Sequence, residues 1–179
     1  MDEARHKLAE QLLLIRCQAG DEFAFTRLVS TFDSRLRYFV RRIIDSPSEA
    51  DDLMQNIWLT VWRQLPKLRR LESFRPWLYR IARNAALQTL RGRRQELPLE
   101  PDVPLTAQPE AEFDALSAQA IHAALDKISV LHKEVLVLRF LEDMSYEAIA
   151  EVVGCTVGTV RSRIYYGKEA LRREMETAT

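Results

Sequence analysis

From Phe25 to Ile44 the apolar residues recur at intervals of three and four: Phe25, Leu28, Val29, Phe32, Leu36, Phe39, Val40 and Ile43. That period lines them along one side of a helix. Asp45-Ser46-Pro47-Ser48 interrupts the pattern. A second stripe runs Ala50, Leu53, Met54, Ile57, Trp58, Val61, Trp62, Leu65 and stops at Pro66. Ser48 is placed to cap that helix, with Asp51 three residues on as in a capping box. After a short basic connector, Lys67 to Ser73, Pro76 suits the first turn of a helix carrying Trp77, Leu78, Ile81, Ala82, Ala85 and Leu90.

Between residues 96 and 112 stand Pro98, Pro101, Pro104 and Pro109 with acids between them. Prolines that dense cannot sit in a helix, and the segment reads as a linker. Helical patterning resumes near Phe113 with Leu116, Ala120, Ala124 and Leu125, then Leu131, Val135, Leu138 and Leu141. Two more helices are expected between Ser145 and Met175. No stretch alternates as a strand would. The expected fold is all-α: two small helical domains, 1–95 and 113–179, joined by a Pro/acidic linker, 96–112.

Composition agrees with this and narrows the class. Five Gly and seven Pro among 179 residues favour helix. No apolar run approaches the roughly 18–20 residues that span a bilayer, and no membrane insertion is expected. The charged N-terminus lacks a signal-peptide core, which points to the cytoplasm. Cys17 and Cys155 fit no metal or redox spacing and read as buried thiols. His6, His122 and His132 have no partner spacing, and no phosphate-loop, metal or nucleophile motif occurs, so neither an enzyme nor a cofactor is expected.

The formal net charge is zero, which suits a nucleic-acid binder only once it is resolved along the chain. Residues 1–95 carry 18 basic and 11 acidic side chains, whereas residues 96–118 carry six acids and no base. The first segment can approach phosphate, and the second is repelled by it.

The stretch from Ser145 to Tyr165 carries the clearest signal. Ser145 caps a short helix with inner residues Ile149, Val152 and Val153, and Gly154 ends it. Thr156 caps the next helix, whose inner residues are Val157, Val160 and Ile164. A turn of three or four residues between two such helices is helix-turn-helix geometry, with the second helix suited to a major groove. Gly158, Thr159, Arg161, Ser162 and Arg163 fall off the inner stripe. Arginine can pair with guanine, and serine or threonine with base edges or phosphate.

Cys155-Thr-Val-Gly-Thr-Val-Arg-Ser-Arg-Ile closely resembles the recognition helix of extracytoplasmic-function sigma factors, and the preceding residues 136–150 resemble that family's scaffold. The resemblance implies that Arg161, Ser162, Tyr165 and Tyr166, with Thr156, Gly158, Thr159 and Arg163 nearby, face the minus-thirty-five promoter element. Where the family continues with Arg-Ala-Arg or Arg-Ala-Lys, this chain has Tyr166-Gly167-Lys168. The segment 49–62 resembles the family's helix that docks on core RNA polymerase. It implies docking through Asp51, Asp52, Gln55 and Asn56, with Asn56 in place of the usual Glu. Ser73 to Ala86 resembles the family's surface that opens the minus-ten element and holds a base flipped from the stack. The implied pocket is Gln64, Leu68, Ile81 and Asn84, with Arg69, Arg70, Arg80 and Arg83 tracking the melted non-template strand. The resemblance also implies an anti-sigma partner as a family habit. A regulator that recruits polymerase without replacing a sigma subunit would share the C-terminal half but has no need of the Trp77–Asn84 block.

Overall fold

In the computed structural model, residues 2–44, 46–92 and 118–177 are described, and all of their regular structure is helical. The expected linker 96–112 and the helix start near Phe113 lie outside the described residues. Two compact units result, Met1–Leu90 and Arg91–Thr179.

The first unit holds four helices: α1 (Asp2–Gln18), α2 (Glu22–Ile43), α3 (Pro47–Gln64) and α4 (Phe74–Gly92). Two 3-10 turns, Leu65–Lys67 and Leu71–Ser73, connect α3 to α4. α2 presents the expected stripe: Leu28, Phe32, Leu36, Phe39, Val40 and Ile43 are all buried. The α4 side of the same core supplies Phe74, Leu78, Tyr79 and Ala82. Aromatic rings join the two, Phe32 edge-on to Phe74 at 5.4 Å and Phe39 edge-on to Tyr79 at 5.3 Å. Each such ring removed from water stabilises by roughly 2–3 kcal/mol.

α1 was not legible as a stripe, and it supports the rest of the unit. Leu14 and Cys17 are buried, while Leu8, Leu12 and Ile15 remain exposed. The Gln18 side chain donates to the carbonyls of Leu65 at 3.0 Å and Leu68 at 2.8 Å, tying α1 to the α3–α4 connector. Gly20, at φ +85°, lets the chain reverse into α2. Asp21 then accepts the Ala24 N–H as N-cap of α2 and pairs with Arg16 at 2.6 Å.

Two local expectations are corrected. Ser48 does not cap α3: Ser46 occupies the cap position without a side-chain capping bond, its hydroxyl lying 3.3 Å from that of Ser48, and Pro47 fills the first turn, where its missing N–H costs nothing. Asp51 is therefore no capping-box member; it accepts hydrogen bonds from Arg37 and Arg41 of α2. Cys155 is only half-buried. Cys17 is buried as expected, and burial pushes its thiol up to about 11.

The second unit holds α5 (Ala118–Lys127), α6 (Val130–Phe140), α7 (Tyr146–Val153) and α8 (Val157–Glu176). α8 packs on α5, α6 and α7. Gly167 explains its own presence there. A Cβ at that position would lie 3.2 Å from Leu136 Cδ1 and 3.3 Å from His132 Cβ, so glycine lets α8 approach α6 closely. Among the described residues no helix is long and apolar enough to cross a membrane.

Two stability tests follow from these contacts. In an open helix Gly→Ala gains about 1 kcal/mol. Gly167→Ala should recover less than that, and Gly167→Val should lower the melting temperature; a Val variant as stable as the parent chain would refute the close approach. The Ala24 N–H and then Arg16 hold the Asp21 carboxyl below its ordinary value of 3.8. Its contribution is thus complete above that value and is lost as pH falls through the lower folded value. Melting profiles from neutral to acid pH should show a shallower acid limb for Asp21→Asn, and an unchanged limb would remove this role.

Candidate nucleic-acid and polymerase interfaces

Along one side of the first unit, α3 and α4 leave a groove of about 600 Å³. Its wall from α3 includes Asn56, Thr60 and Gln64, and its wall from α4 includes Trp77, Arg80, Ile81 and Asn84. Helical spacing brings these together. Asn56, Thr60 and Gln64 are four apart, and Trp77, Ile81 and Asn84 are four and three apart, so each set forms one ridge. The groove offers amide groups that can read a base edge, apolar walls that can hold its face, and a guanidinium for phosphate. Gln88 and Thr89 extend the polar lining along α4.

The sequence-derived set is thus partly united. Gln64, Arg80, Ile81 and Asn84 share the groove; Leu68, Arg69, Arg70 and Arg83 do not line it. Leu68 is half-buried and its carbonyl is held by Gln18, while Arg69 and Arg70 are exposed on the connector. Leu78 belongs to the core, and Trp77 is half-buried at the groove wall.

The four residues assigned to polymerase docking separate in space. Asp52, Gln55 and Asn56 are exposed. Gln55 borders a second depression with Phe25, Trp58, Leu59 and Trp62, whereas Asn56 turns into the α3–α4 groove. Successive helix positions point about 100° apart, which is why the two neighbours cannot share a face. Around that depression Trp58 donates its indole N–H to Asp33 at 2.8 Å, and Arg37 bridges Asp33 and Asp51. Hydrogen bonds from Arg41 and then Arg37 lower the Asp51 carboxyl below its ordinary range. Asp51 is therefore already paired within the chain, and Asp52 is the exposed acid beside the depression's Gln55.

In the second unit the helix-turn-helix has the expected joints. Ser145 accepts the Ala148 N–H, Gly154 adopts the left-handed conformation at φ 71° and ψ 41°, and Thr156 accepts the Thr159 N–H. The expected exposed face is narrower than the sequence suggests. Thr159 is buried, and its hydroxyl lies 2.8 Å from that of Thr156. Ser162 is also buried and donates to the Thr159 carbonyl at 2.9 Å. Arg163 turns inward, 3.8 Å from Glu134, a carboxylate with no exposed surface. Hydroxyls that bond their own helix lose their polar cost, and so Thr159 and Ser162 pack as small core residues. What remains outward is Thr156, Gly158, Arg161 and Tyr166, with Tyr165 half-buried. Gly158, Arg161 and Tyr165 lie three and four apart, on one face of α8. Tyr165 and Tyr166 meet edge to face at 5.3 Å.

These two surfaces coincide with two family profiles. Residues 28–96 match Sigma-70 region 2, and residues 118–171 match Sigma-70, region 4. The chain is 34% identical to the RNA polymerase sigma-H factor of Pseudomonas aeruginosa, across 93% of this chain and 94% of that one. It is 31% identical to the ECF RNA polymerase sigma-E factor of Haemophilus influenzae, across 95% and 97%. Its fold is similar to CnrH, solved in complex with the cytosolic domain of CnrY: TM-score 0.70, 22% identity, 96% of this chain and 99% of that chain. It is also similar to the sigma factor RpoE of Bartonella quintana, solved with the anti-sigma factor NepR: TM-score 0.67, 24% identity, 85% and 96%. The chain belongs to the sigma-70 family, in its extracytoplasmic-function class, and directs promoter-specific initiation of transcription by RNA polymerase.

Proposed function

We propose a division of labour along the chain, with residues 1–95 binding core polymerase and opening the minus-ten element, and residues 113–179 reading the minus-thirty-five element. The α3–α4 groove is the observation that carries it. Gln64, Ile81 and Asn84 surround a space that takes a base out of the stack, and Arg80 holds the adjoining phosphate. Arg69, Arg70 and Arg83 track the strand beyond the groove, with Leu68 at its connector edge. Asn56 serves this groove more naturally than the polymerase face. On the polymerase side Asp52 and Gln55 make the contact, and Asp51 orients them through its bridge to α2. In the second unit Arg161 reads the major groove, with Thr156, Gly158, Tyr165 and Tyr166 along the same DNA. Thr159, Ser162 and Arg163 support the helix from behind.

The acidic segment 96–112 acts as a spacer that phosphate repels. The chain acts by binding alone, without catalysis or cofactor, in the cytoplasm where its polymerase works. Two neighbours of its fold were solved with the partners CnrY and NepR, the second named an anti-sigma factor, and this chain is held in check by a partner of that kind.

Two measurements test the assignment. Asp52→Lys should weaken core binding by at least about 1 kcal/mol, roughly fivefold in Kd. Unchanged affinity in a folded variant would take Asp52 out of the interface. Asn84→Ala should leave duplex binding nearly intact but slow open-complex formation, because unstacking costs a few kcal/mol that an imperfect pocket no longer offsets. A pre-melted minus-ten bubble meets that cost in advance and should restore much of the Asn84→Ala activity. Arg161→Ala, whose expected loss is roughly 1–3 kcal/mol upstream of the bubble, should recover less. An identical response of both variants to the bubble would end the division of labour.

A further inference from the structure

Arg161 does not stand alone on α8. Its guanidinium carbon lies 5.8 Å from the ring centroid of Tyr146, the first residue of α7. The same ring lies 5.3 Å from the guanidinium carbon of Arg139, in the last turn of α6. Arg139 is anchored, since its Nη1 donates to the Met144 carbonyl at 3.2 Å. Tyr146 is anchored too, directly after the Ser145 cap that fixes the start of α7. The cluster of Arg139, Tyr146 and Arg161 therefore has a fixed end on α6 and α7 and an exposed end at Arg161. Two cations on one ring repel, and Glu147 supplies the balancing charge. Its carboxyl is lowered chiefly by its own backbone N–H, then by Ser145, and also by the charge of Arg161.

We propose that Tyr146 is a positioning residue that presets Arg161 for promoter readout and so sharpens base choice at the minus-thirty-five element. This rests on the placement of Arg161 against that element. An exposed arginine samples many rotamers, and freezing them on a base opposes binding. Cation–π attraction, here at 5.8 Å, acts on the charge of the guanidinium and uses up none of its N–H groups, whereas a guanine is read by those N–H groups. The two uses do not compete. The ring can hold the Arg161 guanidinium in place while its fork stays free to donate.

The test uses the full chain assembled with core polymerase. The DNA is a duplex promoter drawn by the parent holoenzyme from a library randomised at the upstream element. Affinity is measured on that duplex and on each single-base variant of it. Tyr146→Leu should weaken binding about two- to fivefold, the range of an exposed cation–π contact. It should flatten base preference at the same positions as Arg161→Ala and add nothing in the Arg161→Ala background. Tyr146→Phe, which keeps the ring, should retain both affinity and preference. Tyr146→Gln serves as a second ring-free variant, and melting curves check the fold of each. An unchanged preference profile in folded ring-free variants would overturn the proposal. So would an equal loss with and without Arg161, which would mark a merely structural role. A Tyr146→Phe defect as large as that of Tyr146→Leu would assign the effect to the hydroxyl and overturn it as well. If Arg161→Ala is itself silent, the minus-thirty-five placement of Arg161 fails, and the positioning role falls with it.

Discussion

The chain must reverse between α3 and α4 within a few residues, and this reversal leaves the Leu65 carbonyl with one 3-10 bond, from the Leu68 N–H, and the Leu68 carbonyl in need of a donor from elsewhere. A buried or half-buried carbonyl without a donor costs as much as a lost hydrogen bond, so something must supply the donor. Gln18 does so at Leu68 and adds a second donor at Leu65. Because the same side chain belongs to α1, the turn is fixed relative to a third helix rather than only to the two it joins. The width of the groove between α3 and α4 depends on that turn. So does the angle at which Asn84 faces Gln64. A groove built on two helices and an unsupported loop would have no defined size.

The second unit solves a comparable problem with caps rather than a clip. Ser145, Gly154 and Thr156 each satisfy or redirect a helix end within twelve residues. The recognition helix is then held from behind by polar groups as well as apolar ones. Arg163 of α8 approaches Glu134 of α6, and α6 is in turn tied to α5, where Lys133 donates to the Asp126 carbonyl at 2.9 Å. A buried pair of charges adds little net stability but penalises any register in which it is broken. Here it ties the rotation of α8 to α6, and the outward direction of Arg161 follows from that rotation.

Much of this architecture was legible in the chain because its long helices bury one clean stripe. The α2 stripe and the joints of the helix-turn-helix were read residue by residue. α1 was not, because Leu12-Leu13-Leu14-Ile15 is a continuous apolar run that marks no single face. The inward turn of Thr159, Ser162 and Arg163 was also invisible, since hydroxyls bonded within their own helix and a guanidinium facing a buried carboxylate look like solvent-exposed residues in a sequence. The α3–α4 groove was half legible. Its members were named, but spacing alone could not show that Asn56 joins them while Gln55 turns away. Gly167 stood out only as a departure from the family's Arg-Ala pattern, and the closeness of His132 and Leu136 gives it a reason.

The two thiols differ in a way that matters at the bench. Cys17 is buried with its proton held up to about 11, so almost none of it is thiolate at neutral pH. Cys155 is half-exposed in the turn just before the recognition helix. A thiol-directed fluorophore or spin label will therefore go to one place without any cysteine being removed first. That place is the joint between α7 and α8, so the unmodified sequence already carries a site-specific probe for watching the second unit as the chain meets its partners.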